Sequence, residues 1–242
     1  MTVEPVSMFY WYPKIKDAVP TPRTVMIEAD GWKLLEELEA EVWPEARRVE
    51  ELIMEAIETL GGYPVFLRTD LTANKHDWIR TCYISVKSDI KSHIFALTDF
   101  SFAVDIGLSG FAVREFLQLE SKFEAFQGMP VAREYRVFAE KGNVLCIHPY
   151  WPKEAMRFYK STPLDWQSDL EFLSAIVERE RIEKLALRAE AAINDGFPWS
   201  IDVCRDIAGK WWVTDMAPAC RSYHWKGCSV GENAKGRLGV SR

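Results

Sequence analysis

The fold is decided by two stretches near the C-terminus, Ser200-Ile-Asp-Val-Cys-Arg-Asp206 and Trp211-Trp-Val-Thr-Asp-Met-Ala217. Both alternate apolar and polar residues, which is typical of β-strands. The segment Asp206-Ile-Ala-Gly209 between them predicts a turn, and therefore an antiparallel strand pair. We expect this pairing to bring Asp202 and Asp215 close together on adjacent strands.

Asp202 and Asp215 are the candidate metal ligands. Two carboxylates between apolar neighbours are costly to hold side by side unless a cation neutralises them. Mg²⁺ suits such a pair, because it is a hard cation that takes oxygen ligands and bridges phosphates. Two alternatives stay open on the residues alone: both aspartates could face water, or one could pair with Arg136.

A second hairpin is predicted upstream, with Arg133-Glu-Tyr-Arg-Val-Phe138 in one of its strands. Alternation places Glu134 and Arg136 on one face of this strand and the intervening tyrosine on the other. An arginine held beside a carboxylate can reach a phosphate with two parallel hydrogen bonds. Taken alone, however, the pattern fits a structural arginine–glutamate pair equally well.

The segment Leu67–Trp78 is a candidate phosphate-binding loop. Arg68 ends a predicted strand, and Lys75 follows a short polar loop whose backbone N–H groups could face an anion. The loop has no glycine, and the sequence contains neither G-x-x-x-x-G-K-[ST] nor G-x-G-x-x-G. A P-loop NTPase is therefore excluded, and a dinucleotide fold has no support.

A third segment, Val113–Glu120, reads as an extended strand of mixed apolar and charged residues. Its backbone could pair with the edge of an adenine, and Glu120 could accept a hydrogen bond from a ribose hydroxyl.

The remaining pattern predicts an α+β chain, since helices alternate with antiparallel hairpins rather than with single parallel strands. We expect helices over residues 31–42, 44–60, 89–108 and 169–194, the last as one helix or a pair. Further strands are expected at residues 63–68, 112–119, 132–139 and 144–149. Residues 78–86 fit a strand or a loop.

Composition narrows the function further. The 242 residues carry a net charge of −6, which argues against an extended nucleic-acid interface. No apolar run approaches the length of a membrane helix, and residues 1–5 do not resemble a secretory signal. The five cysteines are odd in number and scattered, which favours reduced thiols in the cytoplasm.

In their order and spacing, these segments resemble the ATP-grasp superfamily. The resemblance rests on Pro20–Thr24, Phe66–Arg68 with its loop, Val113–Leu119, Glu134–Arg136 and the pair Asp202 and Asp215. It is most similar to the branch of the eukaryotic cell-division-cycle protein that helps assemble translation initiation factor 2, and to small phage and bacterial ATP-grasp proteins. It implies an α+β fold with two lobes whose antiparallel sheets clasp a nucleotide.

The resemblance also implies four segments. Residues 1–19 would be an N-terminal extension, 20–110 the N-lobe, 111–230 the C-lobe with the metal hairpin, and 231–242 a polar tail. Most enzymes of the superfamily have a separate substrate-binding domain ahead of these lobes. The substrate is therefore expected to be held by the lobes themselves or by a partner protein.

For the nucleotide, the resemblance implies a set of ATP-binding residues. Arg68 and Lys75 would hold the α- and β-phosphates, and the backbone of Glu115 and Leu117 would pair with adenine. Arg136 would reach the γ-phosphate with the support of Glu134. The full candidate set is Arg68, Lys75, Arg114, Glu115, Phe116, Leu117, Glu120, Glu134 and Arg136.

The implied chemistry is ATP-dependent ligation of a carboxylate to an amine or thiol through an acylphosphate. Arg136 and Lys75 would be catalytic, and Asp202 and Asp215 would bind Mg²⁺. Ala217 stands where the family usually has an asparagine, which leaves one metal ligand missing. The acceptor could be an amino acid, a peptide or a protein terminus. The alternative is an ATP- and Mg²⁺-binding assembly factor without turnover, which would act on a protein partner.

Two smaller patterns also carry potential chemistry. Cys220-x₃-His224-x₃-Cys228 offers three zinc ligands, but no fourth ligand is apparent from the sequence. His148 could act as a general base, although a strand-end histidine bonded to backbone is the simpler interpretation.

Overall fold

Two four-stranded antiparallel sheets form the frame of the chain in the computed structural model, which describes residues 3–40, 42–156, 163–228 and 230. The first sheet is built from β1 (Thr24–Glu28), β2 (Val65–Thr69), β3 (Tyr83–Ile84) and β4 (Gly110–Glu115), in the spatial order β1-β4-β2-β3. A separate hairpin follows, of β5 (Ser121–Ala125) and β6 (Met129–Ala132). The second sheet is built from β7 (Glu134–Glu140), β8 (Asn143–Pro149), β9 (Trp199–Arg205) and β10 (Trp211–Pro218), in the spatial order β10-β9-β7-β8.

The helices of the described residues cover these sheets. They are α1 (Met8–Ile15), α2 (Gly31–Leu38), α3 (Pro44–Leu60), α4 (Trp78–Thr81), α5 (Ile90–Ala103), α6 (Trp166–Ser174) and α7 (Arg179–Ile193). The predicted α+β class with antiparallel hairpins is confirmed. Within the described ranges, no helix is both long and apolar enough to cross a lipid bilayer. The predicted polar tail, residues 231–242, lies outside the described residues.

The N-lobe core lies between the first sheet and helices α2, α3 and α5. Helix α3 shows why these residues fold as they do. Pro44 occupies the start of the helix, and Gly61 ends it with φ +102°, a left-handed conformation that glycine adopts without strain. Its apolar residues recur at helical spacing, so that Val49, Ile53 and Leu60 all turn towards the sheet and are buried.

In the C-lobe, β7 to β10 form a sheet whose inner face packs against α7. Tyr135, Val137, Ile201 and Val203 are fully buried on this face. Their alternate neighbours therefore point to the other side of the sheet, as the period of two in a strand requires. The predicted helix over residues 169–194 is a pair, interrupted between Ser174 and Arg179.

Several predicted boundaries are wrong, and each has a local reason. The strand expected to reach Leu119 ends at Glu115, because the next four residues connect the lobes. The strand expected from Ala132 is divided at Arg133 between β6 and β7. The helix expected to reach residue 108 ends at Ala103, and residues 78–86 contain both the short helix α4 and the short strand β3.

Residues 1–19 were expected to be an extension, but they contain helix α1, which is part of the C-lobe core. Ser7 caps this helix by accepting a hydrogen bond from the backbone N–H of Phe9 (3.2 Å). Met8, Trp11 and Ile15 are fully buried against residues of β7, β9 and α7. The N-terminal helix therefore completes the core of the lobe that follows it last in the sequence.

We predict that the contribution of α1 to stability is large. Ile15→Ala removes buried methyl groups and should lower the free energy of unfolding by about 2–5 kcal/mol, measured by urea denaturation. Ile207→Ala is the matched control, because Ile207 is 74% exposed and its substitution should change stability by less than about 0.5 kcal/mol. Equal effects of the two substitutions would contradict the assignment of α1 to the core.

Candidate functional site

A cleft of about 740 Å³, its open mouth included, lies between the two sheets and is lined by residues of both lobes. Eight of the predicted site residues meet here: Arg68, Lys75, Arg114, Glu115, Phe116, Leu117, Glu134 and Asp215. The alternation of β2 and β4 explains how the first sheet supplies its share. Val65, Leu67 and Val113 enter the N-lobe core, so Arg68 and Arg114 point the other way, into the cleft.

The predicted aspartate pair is present, and it depends on a β-bulge. Asp215 lies directly opposite Asp202 across β10 and β9, with a register shift between Val213 and Asp215. Without the extra residue Thr214, regular pairing would have placed Asp215 opposite Ile201, on the core face. The bulge therefore turns Asp215 to the same face as Asp202 and leaves Met216 buried in the core.

Each aspartate of this pair has an arginine partner. Arg136, directly across from Asp202 on β7, donates to both of its carboxylate oxygens at 2.8 and 2.9 Å. Arg68 lies 2.8 Å from Asp215 Oδ1. Of the alternatives left open by the sequence, pairing of one aspartate with Arg136 is therefore what the structure has. The arginines offset the repulsion between two carboxylates held opposite each other.

Asp215 remains ionised in this setting. Burial alone would raise its pKa, but the charges of Arg68 and Lys75 hold the pKa of Asp215 below its ordinary value. Its side chain is one-third exposed, whereas Asp202 is almost completely buried. Asp215 is thus the carboxylate of the pair that faces the cleft.

Arg114 is the buried group of the cleft that lacks partners. Its Nη1 donates to the carbonyl of Thr214 (2.6 Å), the bulge residue. Nε and Nη2 are buried with no hydrogen-bond partner among the described residues. Burial, and after it the charge of Arg68, lowers the pKa of Arg114 to about 10. Unpaired buried donors on a cation are costly, so this arrangement is built to receive an anion.

Lys75 forms the opposite end of the charged surface. Its Nζ lies 3.3 Å from Glu134 Oε1 and 4.5 Å from the centre of the Tyr150 ring. Burial would lower the pKa of Lys75, but the charge of Glu134 raises it above its ordinary value, so the amine stays protonated. The ring of Tyr150 also lies 4.8 Å from the Arg136 guanidinium, and it therefore supports both cations.

An aromatic wall borders the charged surface. Trp78 lies against Phe66 and Phe116, with ring centres 5.7 and 6.3 Å apart, and Trp151 closes the same side of the cleft. Such a wall suits a flat, apolar ring of a ligand.

The connection between the lobes supplies backbone groups at the edge of this wall. The N–H of Glu115 donates to the carbonyl of Arg23 (2.9 Å), and its carboxylate also contacts Arg23. Phe116 and Leu117, by contrast, have no backbone hydrogen bond to another described residue. Of the predicted hinge residues, Leu117 keeps its backbone groups available, whereas the N–H of Glu115 is already used.

Three predicted residues lie away from the cleft itself. Glu120 accepts hydrogen bonds from Arg133 and Arg205, both at 3.0 Å, and is not among the lining residues. Arg136 lines a neighbouring cavity that shares Lys75 with the cleft, and Asp202 lies behind Arg136. The predicted phosphate and metal residues therefore form one continuous surface, whereas Glu120 belongs to a structural ion-pair cluster.

Sequence reasoning gave no role to two features of this site. Thr214 reads as an ordinary strand residue, and a bulge has no sequence signal here. Tyr150 follows Pro149 at a strand end, and nothing in that position signals the support of two cations. His148, considered as a base, is absent from the residues that line either cavity.

Comparison with known proteins identifies this arrangement. The sequence model of an ATP-grasp domain, family 3 of its clade, matches residues 59–224, more than half of the chain. The chain belongs to this ATP-grasp family. The predicted resemblance is thereby confirmed. No curated protein sequence matches the chain.

Solved structures show the same ATP-grasp fold. C-terminally truncated Cdc123 from Schizosaccharomyces pombe is 16% identical, with a TM-score of 0.57 over 88% of this chain and 83% of that one. D-alanine–D-alanine ligase from Bacillus anthracis is 10% identical, with a TM-score of 0.54 over 97% of this chain and 62% of the ligase. N5-carboxyaminoimidazole synthetase from Staphylococcus aureus, complexed with ADP, is 12% identical, with a TM-score of 0.52 over 91% and 46%.

We predict that Arg114 destabilises the ligand-free ATP-grasp domain. Arg114→Met removes an unpaired buried charge and should raise the free energy of unfolding by about 1–2 kcal/mol, measured by urea denaturation. Arg133 is the matched control, because it is equally buried but donates to Glu120, Tyr135 and backbone carbonyls. Arg133→Met should therefore lower stability by at least about 2 kcal/mol. A similar loss in both variants would show that Arg114 is not held without partners.

Proposed function

We propose that the cleft binds Mg²⁺ and ATP, and that the chain is an ATP-dependent ligase of the carboxylate–amine type. The observation that carries the proposal is the buried guanidinium of Arg114, with two N–H groups that no described residue accepts. Triphosphate oxygens are strong acceptors for such donors. Arg68 and Lys75 line the same cleft and add positive charge on either side of Arg114.

The donor set of the hairpin fits Mg²⁺. Asp202 and Asp215 supply hard carboxylate oxygens directly opposite each other, beside the cations that would hold the phosphates. Mg²⁺, when bound, neutralises charge on the phosphates and on the group being transferred. Ala217 has no side-chain oxygen to offer, so the chain itself contributes these two aspartates and no ligand from that position.

The aromatic wall is where we place the adenine. Phe66, Trp78 and Phe116 offer a flat apolar surface, and the backbone of Leu117 offers hydrogen-bonding groups at its edge. Because charged and apolar parts of the cleft adjoin, a nucleotide bound in it would have its base and its phosphates each in a suitable environment.

The neighbouring cavity is where we place the acceptor. It is lined by Arg136, Tyr150 and Tyr223, and it joins the cleft at Lys75. In a ligation, an acceptor carboxylate there would take the γ-phosphoryl group, releasing ADP, and an amine would then displace phosphate from the acylphosphate. Arg136 and Lys75 would hold the charge of the phosphoryl group during transfer. An amino acid, a peptide or a protein terminus would each present the required carboxylate or amine.

A second candidate function is an ATP- and Mg²⁺-binding assembly factor without turnover, acting on a protein partner. Both oxygens of Asp202 accept hydrogen bonds from Arg136, so a metal ion would compete with a guanidinium for this ligand. Together with Ala217, this makes a metal site with fewer free ligands than a ligase of this superfamily usually has. Such a site fits nucleotide binding better than it fits rapid phosphoryl transfer.

Calorimetric titration with ATP tests the binding that both functions require. The wild-type chain should bind ATP, and more tightly with Mg²⁺ than with EDTA. Arg114→Met should weaken binding at least tenfold, since each charge-assisted hydrogen bond contributes about 1.5–3 kcal/mol. Arg181→Met should leave affinity unchanged, because Arg181 is exposed on α7, across the sheet from the cleft. Absence of Mg²⁺-dependent binding would rule out both functions.

Turnover separates the two functions. A ligase should form ADP from Mg²⁺-ATP when offered a panel of amino acids and peptides, and Asp215→Asn should abolish this activity. A chain that binds Mg²⁺-ATP but leaves it intact with every acceptor would favour the assembly factor. The readout is ADP measured by a coupled assay, with Arg181→Met as the active control.

A further inference from the structure

A cluster of four potential metal ligands lies outside the cleft. Cys146 and His148 come from β8, and His224 and Cys228 come from the segment that follows β10. One ligand atom from each of the four residues lies within 4.8 Å of the ligand atoms of the other three. These residues belong to parts of the chain almost eighty positions apart in sequence, so the fold brings them together.

The strand explains how two of the ligands converge. Cys146 and His148 are two residues apart on β8, so their side chains share one face of the sheet. The other two are four residues apart in an irregular segment that passes over this face. Cys146 Sγ lies 3.2 Å from His224 Nε2, and the rings of the two histidines are 4.8 Å apart between centres.

One of these groups is buried without a partner. His148 Nε2 has no hydrogen-bond partner among the described residues and is shielded from solvent. Its ring is held in place from the other side by Trp225, which stacks on it at 6.1 Å with an interplanar angle of 8°. The indole N–H of Trp225 in turn donates to the carbonyl of Pro149 (2.9 Å). A fixed, buried nitrogen without a partner is the state of a histidine that awaits a metal ion.

The spacing fits a tetrahedral ion. With Zn–S bonds of about 2.3 Å and Zn–N bonds of about 2.0–2.1 Å, ligand atoms in a tetrahedron lie about 3.3–3.8 Å apart. The observed upper limit of 4.8 Å requires rotamer-scale adjustments of the side chains, with no change of the backbone path. Two thiols and two imidazoles are the donor set of structural zinc sites.

We propose that Cys146, His148, His224 and Cys228 form a structural zinc site. With four protein ligands the site is closed and leaves no position for a substrate. The proposal is independent of the nucleotide cleft, whose carboxylates suit Mg²⁺ rather than zinc. It also corrects the pattern Cys220-x₃-His224-x₃-Cys228: Cys220 is exposed and absent from the cluster, and Cys146 and His148 supply the remaining ligands.

The site would fasten the segment after β10 to the edge strand of the second sheet. Between the hairpin and the two ligands His224 and Cys228 lies Tyr223, whose carbonyl accepts a hydrogen bond from Arg136 Nη1 (3.4 Å). Tyr223 also lines the cavity that Arg136 faces. Zinc bound at this position would therefore hold one wall of the cavity next to the cleft.

Metal analysis of the full-length chain tests the proposal. Protein purified without chelators, from cells grown with added zinc, should contain one zinc ion per chain by mass spectrometry. Cys146→Ser and Cys228→Ser should lose the metal. The matched control Cys220→Ser should keep it, and so should Asp215→Asn, which changes the cleft carboxylate.

Three results would overturn the proposal. The first is a wild-type chain that contains no zinc and takes up none when Zn²⁺ is added. The second is loss of zinc in Cys220→Ser or in Asp215→Asn with retention in Cys146→Ser, which would place the ion on other ligands. The third is a disulfide between Cys146 and Cys228 in the metal-free native protein.

A measurement on the wild-type chain covers the case in which the serine variants do not fold. After removal of metal, Co²⁺ should give the visible absorption of a tetrahedral site, with charge-transfer bands from thiolates, and Zn²⁺ should displace it. The melting temperature should fall on chelation and recover on addition of Zn²⁺. An octahedral Co²⁺ spectrum without thiolate bands would overturn the proposal. Because no nucleotide is involved, this outcome is independent of whether the cleft binds ATP.

Discussion

The unpaired, buried guanidinium of Arg114 is the constraint from which the account of this site follows. Arg68 beside it has Asp215 as a partner, and Lys75 has Glu134, so their charges are balanced within the protein. Arg114 has a single backbone acceptor, contributed by the bulge residue Thr214. An isolated chain would be more stable without this charge. Its presence in a cleft between two lobes is explained by an anionic ligand, and a triphosphate supplies acceptors of the right number and strength.

Strand alternation was enough to predict a large part of this arrangement. It placed Glu134 and Arg136 on one face of β7, opposite the core residues, and it paired Asp202 with Asp215. The second success depended on a feature that the sequence does not reveal. Regular pairing from Trp211 onward would have buried Asp215 against Ile201, and the bulge at Thr214 restores the expected face. Arg114 could be assigned to the hinge strand, but its burial depends on the C-lobe that covers it, which no local pattern encodes. Helix α1 was missed for the same reason, since its apolar residues find their partners more than a hundred positions away.

The cysteine and histidine cluster makes the same point about long-range contacts. A spacing pattern within one segment gave three zinc ligands and no fourth, because the missing pair lies on β8. Folding exchanges Cys220 for Cys146 and adds His148. The proposed zinc site and the proposed nucleotide site then share a border at Arg136, which contacts Asp202 on one side and the carbonyl of Tyr223 on the other. The C-terminal segment thus supports the wall of a cavity whose floor is formed by the acidic hairpin.

The most direct test of the central claim is a structure of the chain with Mg²⁺ and a non-hydrolysable ATP analogue. The account predicts phosphate oxygens within hydrogen-bonding distance of Arg114 Nε and Nη2, a magnesium ion in contact with Asp215, and the adenine against Trp78 and Phe116. A nucleotide bound elsewhere, or an occupied cleft in which Arg114 still lacks partners, would contradict it.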